Sequence, residues 1–172
     1  MYEPREDSFL IKRHIKEFCK SKSTILDIGT GSGILAIEGS KHVKQVIAVD
    51  IDPKTISQIR KLHLPKNIKI LQSNLFSRIK KQKFDLIVFN PPYIPTEKIK
   101  YTDLDGGKNG TEVIEPFLKD AKQFLKPSGK ILLLTSSLTK DIESLFKEYK
   151  YSYKMIDKEK FAFEELYLWI LE

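Results

Sequence analysis

The most constraining feature of this sequence is its regular alternation of short apolar segments with segments of helical periodicity. Five apolar segments are predicted to be buried strands: 24–28, 45–49, 67–71, 84–89 and 130–135. The segments between them predict helices, so the chain is expected to form a mostly parallel sheet with helices on both faces. Ligands bind such sheets outside the carboxyl ends of the strands, where this sequence places its motifs.

The predicted helices and the last two strands complete a seven-stranded, Rossmann-like, doubly wound α/β fold. Helices are predicted over 9–20, 32–41, 52–63, 111–125 and 139–149, with turn residues at 126–129. Asp7 or Ser8 is predicted to cap the first helix and Thr139 the last, while Asp52 followed by Pro53 predicts the start of the third. Segments 151–157 and 166–171 are predicted to pair antiparallel, because no helix-length segment separates them.

Length and composition exclude several classes of protein. A chain of 172 residues has room for one domain, and its apolar runs are far shorter than the ~20 residues of a membrane span. The single Cys19 cannot form an internal disulfide, which fits a reducing compartment, and we expect a cytoplasmic protein. The histidines do not cluster with Cys19, so no metal site is predicted.

The net charge of +7 suggests an anionic partner or a lysine-rich surface. Only four of the 30 basic residues are arginine, the preferred bidentate reader of phosphate and guanine. We therefore favour the solvated surface, and direct nucleic-acid binding stays open without being favoured.

A glycine-rich loop follows the first predicted strand and opens a helix, in the sequence Asp-Ile-Gly-Thr-Gly-Ser-Gly from Asp27 to Gly33. Gly29 and Gly31 allow close approach of the backbone to a ligand. The dinucleotide fingerprint requires a glycine where Ile34 stands, and a carboxylate beside a pyrophosphate would repel it. The same carboxylate attracts an ammonium group, as in S-adenosylmethionine.

Two further positions fit that cofactor. Asp50 ends the second predicted strand, where an acid can accept hydrogen bonds from ribose hydroxyls. Asn74 and Leu75 follow the third strand, where an amide can bond adenine and an apolar side chain can pack on it.

The sequence Asn90-Pro91-Pro92-Tyr93 follows the fourth predicted strand directly. Prolines have no N–H, so this loop offers carbonyl acceptors and few donors. The carbonyls of Asn90 and Pro91 could hold a planar NH2 group with its nitrogen towards a methyl donor, and Tyr93 could lie against its flat face. Because such a nitrogen is a poor nucleophile, placement and polarisation are what the protein can add.

These motifs resemble those of class I S-adenosylmethionine-dependent methyltransferases, and within them the HemK family. Segments 27–33, 49–52 and 89–95 carry the resemblance. Segments 2–10 and 105–110 are similar to the short archaeal and eukaryotic branch, which lacks the helical substrate domain of bacterial members. The resemblance implies one methyltransferase domain over 1–172, with 1–23 as an N-terminal helical extension, and the strand order 3-2-1-4-5-7-6.

The resemblance also implies a reaction, partners and site residues. The reaction is methylation of the glutamine side-chain nitrogen in the Gly-Gly-Gln loop of a class 1 translation release factor. A small Trm112-like zinc-binding activator is expected near the third strand, and the loop 94–110 is a candidate substrate clamp. At the position of Asn74, many members of that family have an acidic residue instead. Cofactor or methyl-transfer contacts are implied for Ser8, Asp27, Gly29, Gly31, Asp50, Asn74, Leu75 and Asn90.

Two alternatives remain open from the residues themselves. A nucleic-acid methyltransferase acting on adenine N6 or guanine N2 would also need to hold a planar NH2 group. A non-catalytic binding module on the same fold is the other alternative, since fold alone does not determine function. Intact Asp27, Asp50 and Asn90 argue against the second.

Overall fold

The computed structural model describes residues 6–93, 110–161 and 163–172. The strands are β1 (Thr24–Ile28), β2 (Gln45–Asp50), β3 (Ile68–Gln72), β4 (Phe84–Phe89), β5 (Leu125–Ser136), β6 (Tyr153–Lys160) and β7 (Glu165–Leu171). The helices are α1 (Glu6–Ile15), α2 (Ile34–Ser40), α3 (Pro53–Ile59), α4 (Ile114–Ala121) and α5 (Ile142–Glu148). Short 3-10 turns, Lys16–Phe18 and Lys122–Phe124, extend α1 and α4.

All seven strands form one sheet in the order β3-β2-β1-β4-β5-β7-β6, as predicted. Strands β1 to β5 pair in parallel, and β7 pairs antiparallel with both β5 and β6. The strand β3 therefore lies at one edge of the sheet and β6 at the other. None of the helices in the described ranges is long and apolar enough to cross a membrane.

Two apolar clusters cover opposite faces of the sheet, because successive side chains of a strand point to opposite sides. On β4, Leu86 and Val88 belong to the cluster that contains the apolar residues of α1. Ile87 and Phe89 belong to the other cluster, with the apolar residues of α4 and α5. Near-continuous apolar strands are the pattern expected of a parallel sheet buried on both faces.

Local capping predictions had mixed outcomes. Asp52 caps α3 as predicted, since its carboxylate accepts from the backbone nitrogens of Lys54 and Thr55 at 3.0 and 3.1 Å. The other predicted caps are wrong: α1 begins at Glu6, ahead of Asp7 and Ser8. Thr139 does not cap α5, because α5 begins later, at Ile142, and Asp141 stands at its N-cap position. The Thr139 hydroxyl oxygen accepts from the Ser136 nitrogen instead.

The predicted turn at 126–129 is instead a bulge within β5. Leu125 pairs with Phe84 and Lys130 with Leu86, so the intervening residues of β5 have no counterpart on β4. A side chain at Gly129 would place its Cβ 2.7 Å from the Phe84 carbonyl oxygen, which explains the glycine. The proline and glycine signals therefore mark a local irregularity, as they do in many strands, rather than the start of a new element.

Candidate active site

The sequence motifs meet at one edge of the sheet because the strands that carry them run parallel. The glycine loop follows β1, Asp50 ends β2, Asn74 follows β3 and Asn90 follows β4. The loop after β1 is tied to β2 by a hydrogen bond from the Thr30 nitrogen to the Val49 carbonyl oxygen at 2.9 Å. This edge is the one at which ligands bind in open α/β sheets.

The glycine loop adopts a conformation that other residues would strain. Gly29, Gly31 and Gly33 have φ values of 65°, 52° and 78°. At Gly33, the residue before α2, a Cβ would also lie 2.6 Å from Cδ1 of Ile59 on α3. The loop therefore needs glycine for its path and for close packing against a neighbouring helix.

Asp27 is a buried acid with an unused acceptor. Its side chain is 1 % exposed, and Oδ2 accepts a 2.6 Å hydrogen bond from the Thr30 hydroxyl. Among the residues that the structure describes, Oδ1 has no hydrogen-bond partner. Burial raises the pKa of Asp27 to about 7, with a smaller contribution from the nearby Asp50 charge. A cationic group at Oδ1 would satisfy this acceptor and stabilise the charged form.

Asp50 braces the glycine loop from the end of β2. Its Oδ2 accepts from the Gly31 nitrogen at 3.0 Å, and its Oδ1 accepts from the Asp52 nitrogen at 2.9 Å. Burial is the main cause that raises the pKa of Asp50. Each carboxylate oxygen keeps a second lone pair, so the group can still accept from hydroxyls. The next residue, Ile51, is 57 % exposed and offers an apolar surface beside it.

The turn after β3 holds Leu75 in a backbone conformation rare for its type, with φ 45°. The buried Ser73 stabilises this turn: its hydroxyl donates to the Leu75 carbonyl oxygen at 2.8 Å and accepts from the Arg78 nitrogen at 3.1 Å. Asn74 is exposed, and both predicted adenine contacts line a surface hollow with residues of α4 and its 3-10 turn. Such strained positions often occur at ligand sites.

Asn90 has one end of its side-chain amide fixed by a buried acid. Its Nδ2 donates to Oδ2 of Asp7 on α1 at 3.0 Å. Its Oδ1 is buried and lacks a hydrogen-bond partner within the described part of the chain. Pro91 is buried, and the half-buried Tyr93 packs against the apolar cluster of α1. The side-chain carbonyl is thus an oriented acceptor.

Three residues around the site were not predicted to serve it. The sequence predicts only a capping role for Asp7 and singles out neither Thr30 nor Ser73. All three are buried and form hydrogen bonds with site residues. The predicted cofactor residue Ser8 is buried beside Asp7 at the start of α1. The candidate clamp 94–110, apart from Gly110, and segment 2–5 lie outside the described residues.

Comparison with known proteins decides the family. Residues 7–163 match the family described as Methyltransferase small domain. The chain belongs to this methyltransferase family. As a member, it is an enzyme that uses S-adenosylmethionine. The buried Asp27 oxygen that lacks a partner within the described ranges fits the ammonium of that cofactor.

The relatives of this methyltransferase include proteins named for glutamine methylation. It is 34 % identical, over 96 % of its own length and 88 % of the relative, to a Methanocaldococcus jannaschii chain provisionally named a protein N5-glutamine methyltransferase. It is also 34 % identical to the release factor glutamine methyltransferase of Rhodopirellula baltica, over 77 % of this chain. That alignment spans 51 % of the bacterial protein.

A solved structure shows the same fold over nearly the whole chain. It is the E. cuniculi Mtq2–Trm112 complex, described as responsible for methylation of the termination factor eRF1. The TM-score is 0.80 at 24 % identity, covering 99 % of this chain and 97 % of that chain. The class I fold predicted from the motifs is confirmed.

Proposed function

We propose that this enzyme transfers a methyl group from S-adenosylmethionine to the side-chain amide nitrogen (N5) of a glutamine in a translation release factor. The observation that carries the proposal is the orientation of Asn90: its NH2 group is held by Asp7, and its buried carbonyl oxygen has no hydrogen-bond partner among the residues that the structure describes. An acceptor fixed in this way suits a donor such as a planar NH2 group.

The target nitrogen is held by acceptors rather than deprotonated by a base. The Asn90 side-chain carbonyl and the Pro91 backbone carbonyl would each accept one of its two protons. The bound cofactor supplies a methyl group on a positively charged sulfur. Because the amide lone pair is delocalised, the chain contributes chiefly by aligning the nitrogen with that methyl group. Proton loss from the cationic product needs no dedicated base.

The cofactor residues follow from the same geometry. Asp27 would hold the ammonium group through its buried Oδ1, and Asp50 would bind the ribose hydroxyls. Gly29 and Gly31 would let the backbone approach the cofactor closely, and Ser8 would lie at its edge. Asn74 and Leu75 would contact the adenine, with the turn kept in place by Ser73.

A glutamine on a flexible glycine-rich loop fits this site better than a base. Such a loop can extend into a pocket without unfolding its protein, whereas a base in a duplex must be flipped out at a cost of a few kcal/mol. The names of the relatives agree with a glutamine of a release factor as the substrate, and we propose that it is the glutamine of the Gly-Gly-Gln loop of a class 1 factor. Cytoplasmic location follows from that substrate.

The substrate assignment predicts that the purified enzyme labels one glutamine of a release factor. Incubation with methyl-labelled cofactor should add a single methyl group to the Gly-Gly-Gln peptide, detected by mass spectrometry. Replacing that glutamine with glutamate removes both amide protons and should abolish the labelling. An unmodified glutamine together with strong labelling of RNA or DNA would instead assign the enzyme to the nucleic-acid class.

A small zinc-binding activator resembling Trm112 is the partner that we propose. The β3 strand lies at a sheet edge, and edges of this kind favour strand pairing with another chain. Along this edge Ile68 and Ile70 are half-buried, and Lys69 between them is exposed. The Mtq2 protein, which has a similar fold, forms a complex with Trm112, and this supports a partner of that kind by analogy.

Co-expression tests this partner. We expect the enzyme to co-elute with a Trm112-like chain in size exclusion and to show higher activity in the complex. Ile70→Pro should weaken the complex, because the N–H group of Ile70 faces away from β2 at the open edge and proline removes this donor. Lys158→Pro, on the opposite edge strand β6, is the matched control and should leave the complex intact. Full activity without complex formation would contradict the proposal.

A further inference from the structure

The contact between Asp7 and Asn90 joins two residues that are 83 positions apart in the sequence. Asp7 is 5 % exposed, and its Oδ2 lies 3.0 Å from Nδ2 of Asn90. A carboxylate can only accept hydrogen bonds, whereas an asparagine side chain has one donating and one accepting end. The partner therefore selects the orientation of the Asn90 amide: its NH2 group must face Asp7 and its carbonyl must face away.

The fold explains why this acid reaches the end of β4. Asn90 follows Val88 by two positions, so it extends from the face of the sheet that α1 covers. Leu10 and Ile11 of α1 are fully buried in the same cluster as Val88. Packing of this apolar stripe brings the first turn of α1, with Asp7, to the carboxyl end of β4.

We propose that Asp7 is a positioning residue for methyl transfer: it sets the Asn90 amide so that its carbonyl oxygen, rather than its NH2 group, faces the target nitrogen. This inference deepens the proposed function and rests on it. With the amide reversed, the Asn90 NH2 group would face the target NH2 group. Both groups are donors, so no hydrogen bond could form between them. Loss of Asp7 therefore lowers the rate of transfer while the cofactor site, built from other residues, keeps its affinity.

Exchange of the two side chains provides the sharpest test. In Asp7→Asn, the new amide can either accept from or donate to Asn90, so the orientation is no longer selected. In Asn90→Asp, two carboxylates face each other. The double variant Asp7→Asn/Asn90→Asp restores one donor and one acceptor and again leaves a carboxylate oxygen for the target. Glu6→Gln, an exposed acid at the preceding position, is the matched control.

We expect kcat to fall by about tenfold in Asp7→Asn and further in Asn90→Asp, with Kd for S-adenosylmethionine changing less than about threefold. The double variant should have a higher kcat than Asn90→Asp. The effects of the two substitutions on kcat are then non-additive, as expected of two residues that interact directly. The control Glu6→Gln should retain normal turnover. Additive losses in the double variant, or unchanged kcat in Asp7→Asn, would overturn the inference.

A second measurement separates this inference from the substrate assignment. In nitrogen-15 NMR spectra of the protein without substrate, the Asn90 side-chain NH2 protons should exchange slowly with water and lose this protection in Asp7→Asn. Fast exchange in the unaltered protein would overturn the inference whatever the substrate is. Protected protons together with no methylation of a release factor would leave the contact in place and instead contradict the proposed function.

Discussion

Replacing Asn90 with alanine is expected to lower methyl transfer by more than about 10²-fold, because orientation is lost together with one of two acceptors. The affinity for S-adenosylmethionine should change far less, since the cofactor would be held mainly by Asp27 and Asp50. Single-turnover rates with saturating release factor, alongside calorimetric titration of the cofactor, separate these two effects. A variant with near-normal turnover would show that Asn90 does not position the target.

A structural asparagine provides the control for this experiment. Asn67 precedes β3, and its Nδ2 donates to the carbonyl oxygens of Ser40 and Val43 at 2.8 and 3.1 Å. Both Asn67→Ala and Asn90→Ala leave polar partners unsatisfied, at a cost to stability of about 1–3 kcal/mol. We expect Asn67→Ala to lower the unfolding midpoint without a large loss of kcat. Equal losses of kcat in the two variants would point to destabilisation as the cause.

Replacing Asp27 with asparagine is expected to stabilise the free protein at alkaline pH. Burial raises the pKa of Asp27 to about 7, so the folded state holds its proton more tightly than the unfolded state. The stability that this proton contributes is complete at low pH and is lost as pH rises through about 7. Between pH 5 and pH 8 the loss is a few kcal/mol, at ~1.4 kcal/mol per pKa unit. At pH 8 the unfolding midpoint of Asp27→Asn should therefore exceed that of the unaltered protein. The difference between the two midpoints should be smaller at pH 5.

The same replacement should impair binding of the cofactor. Loss of a charged hydrogen bond of about 1.5–3 kcal/mol corresponds to roughly a tenfold to hundredfold weaker Kd. In the unaltered protein, Kd should improve by about tenfold from pH 5.5 to pH 7.5 as Asp27 ionises, while an amino-acid ammonium stays largely charged. Asp27→Asn should lose this pH dependence and most of the thermal shift that the cofactor produces.

The exposed helix cap Asp52 is the matched control for both measurements. Asparagine is also a good N-cap residue, so Asp52→Asn should keep the pH dependence of cofactor binding. The pKa of Asp52 is lowered, chiefly by hydrogen bonds from the start of α3. The stability that Asp52 contributes is therefore lost as pH falls, whereas the contribution of Asp27 is lost as pH rises. Normal cofactor affinity in Asp27→Asn would refute the ammonium assignment.

Much of the fold was predictable from local patterns. Bounds of β1 and β4 agree with the prediction, because fully buried parallel strands are apolar at nearly every position. The start of α3 was predictable from Asp52 and Pro53 because a cap is satisfied within one turn of chain. The bulge at 126–129 was not predictable. Proline and glycine indicate an irregular backbone, but they do not show whether the chain then continues to pair with the same neighbouring strand.

The sequence by itself determined which chemical groups follow each parallel strand, and parallel pairing then brings Asp50, Asn74 and Asn90 to one edge of the sheet. Only the tertiary structure decided the state of those groups. The raised pKa of Asp27 comes from complete burial by distant segments, and the orientation of the Asn90 amide comes from Asp7 on a helix 83 residues away. Periodicity and capping are local properties, whereas burial and long-range hydrogen bonds exist only after α1 packs on the face of the sheet.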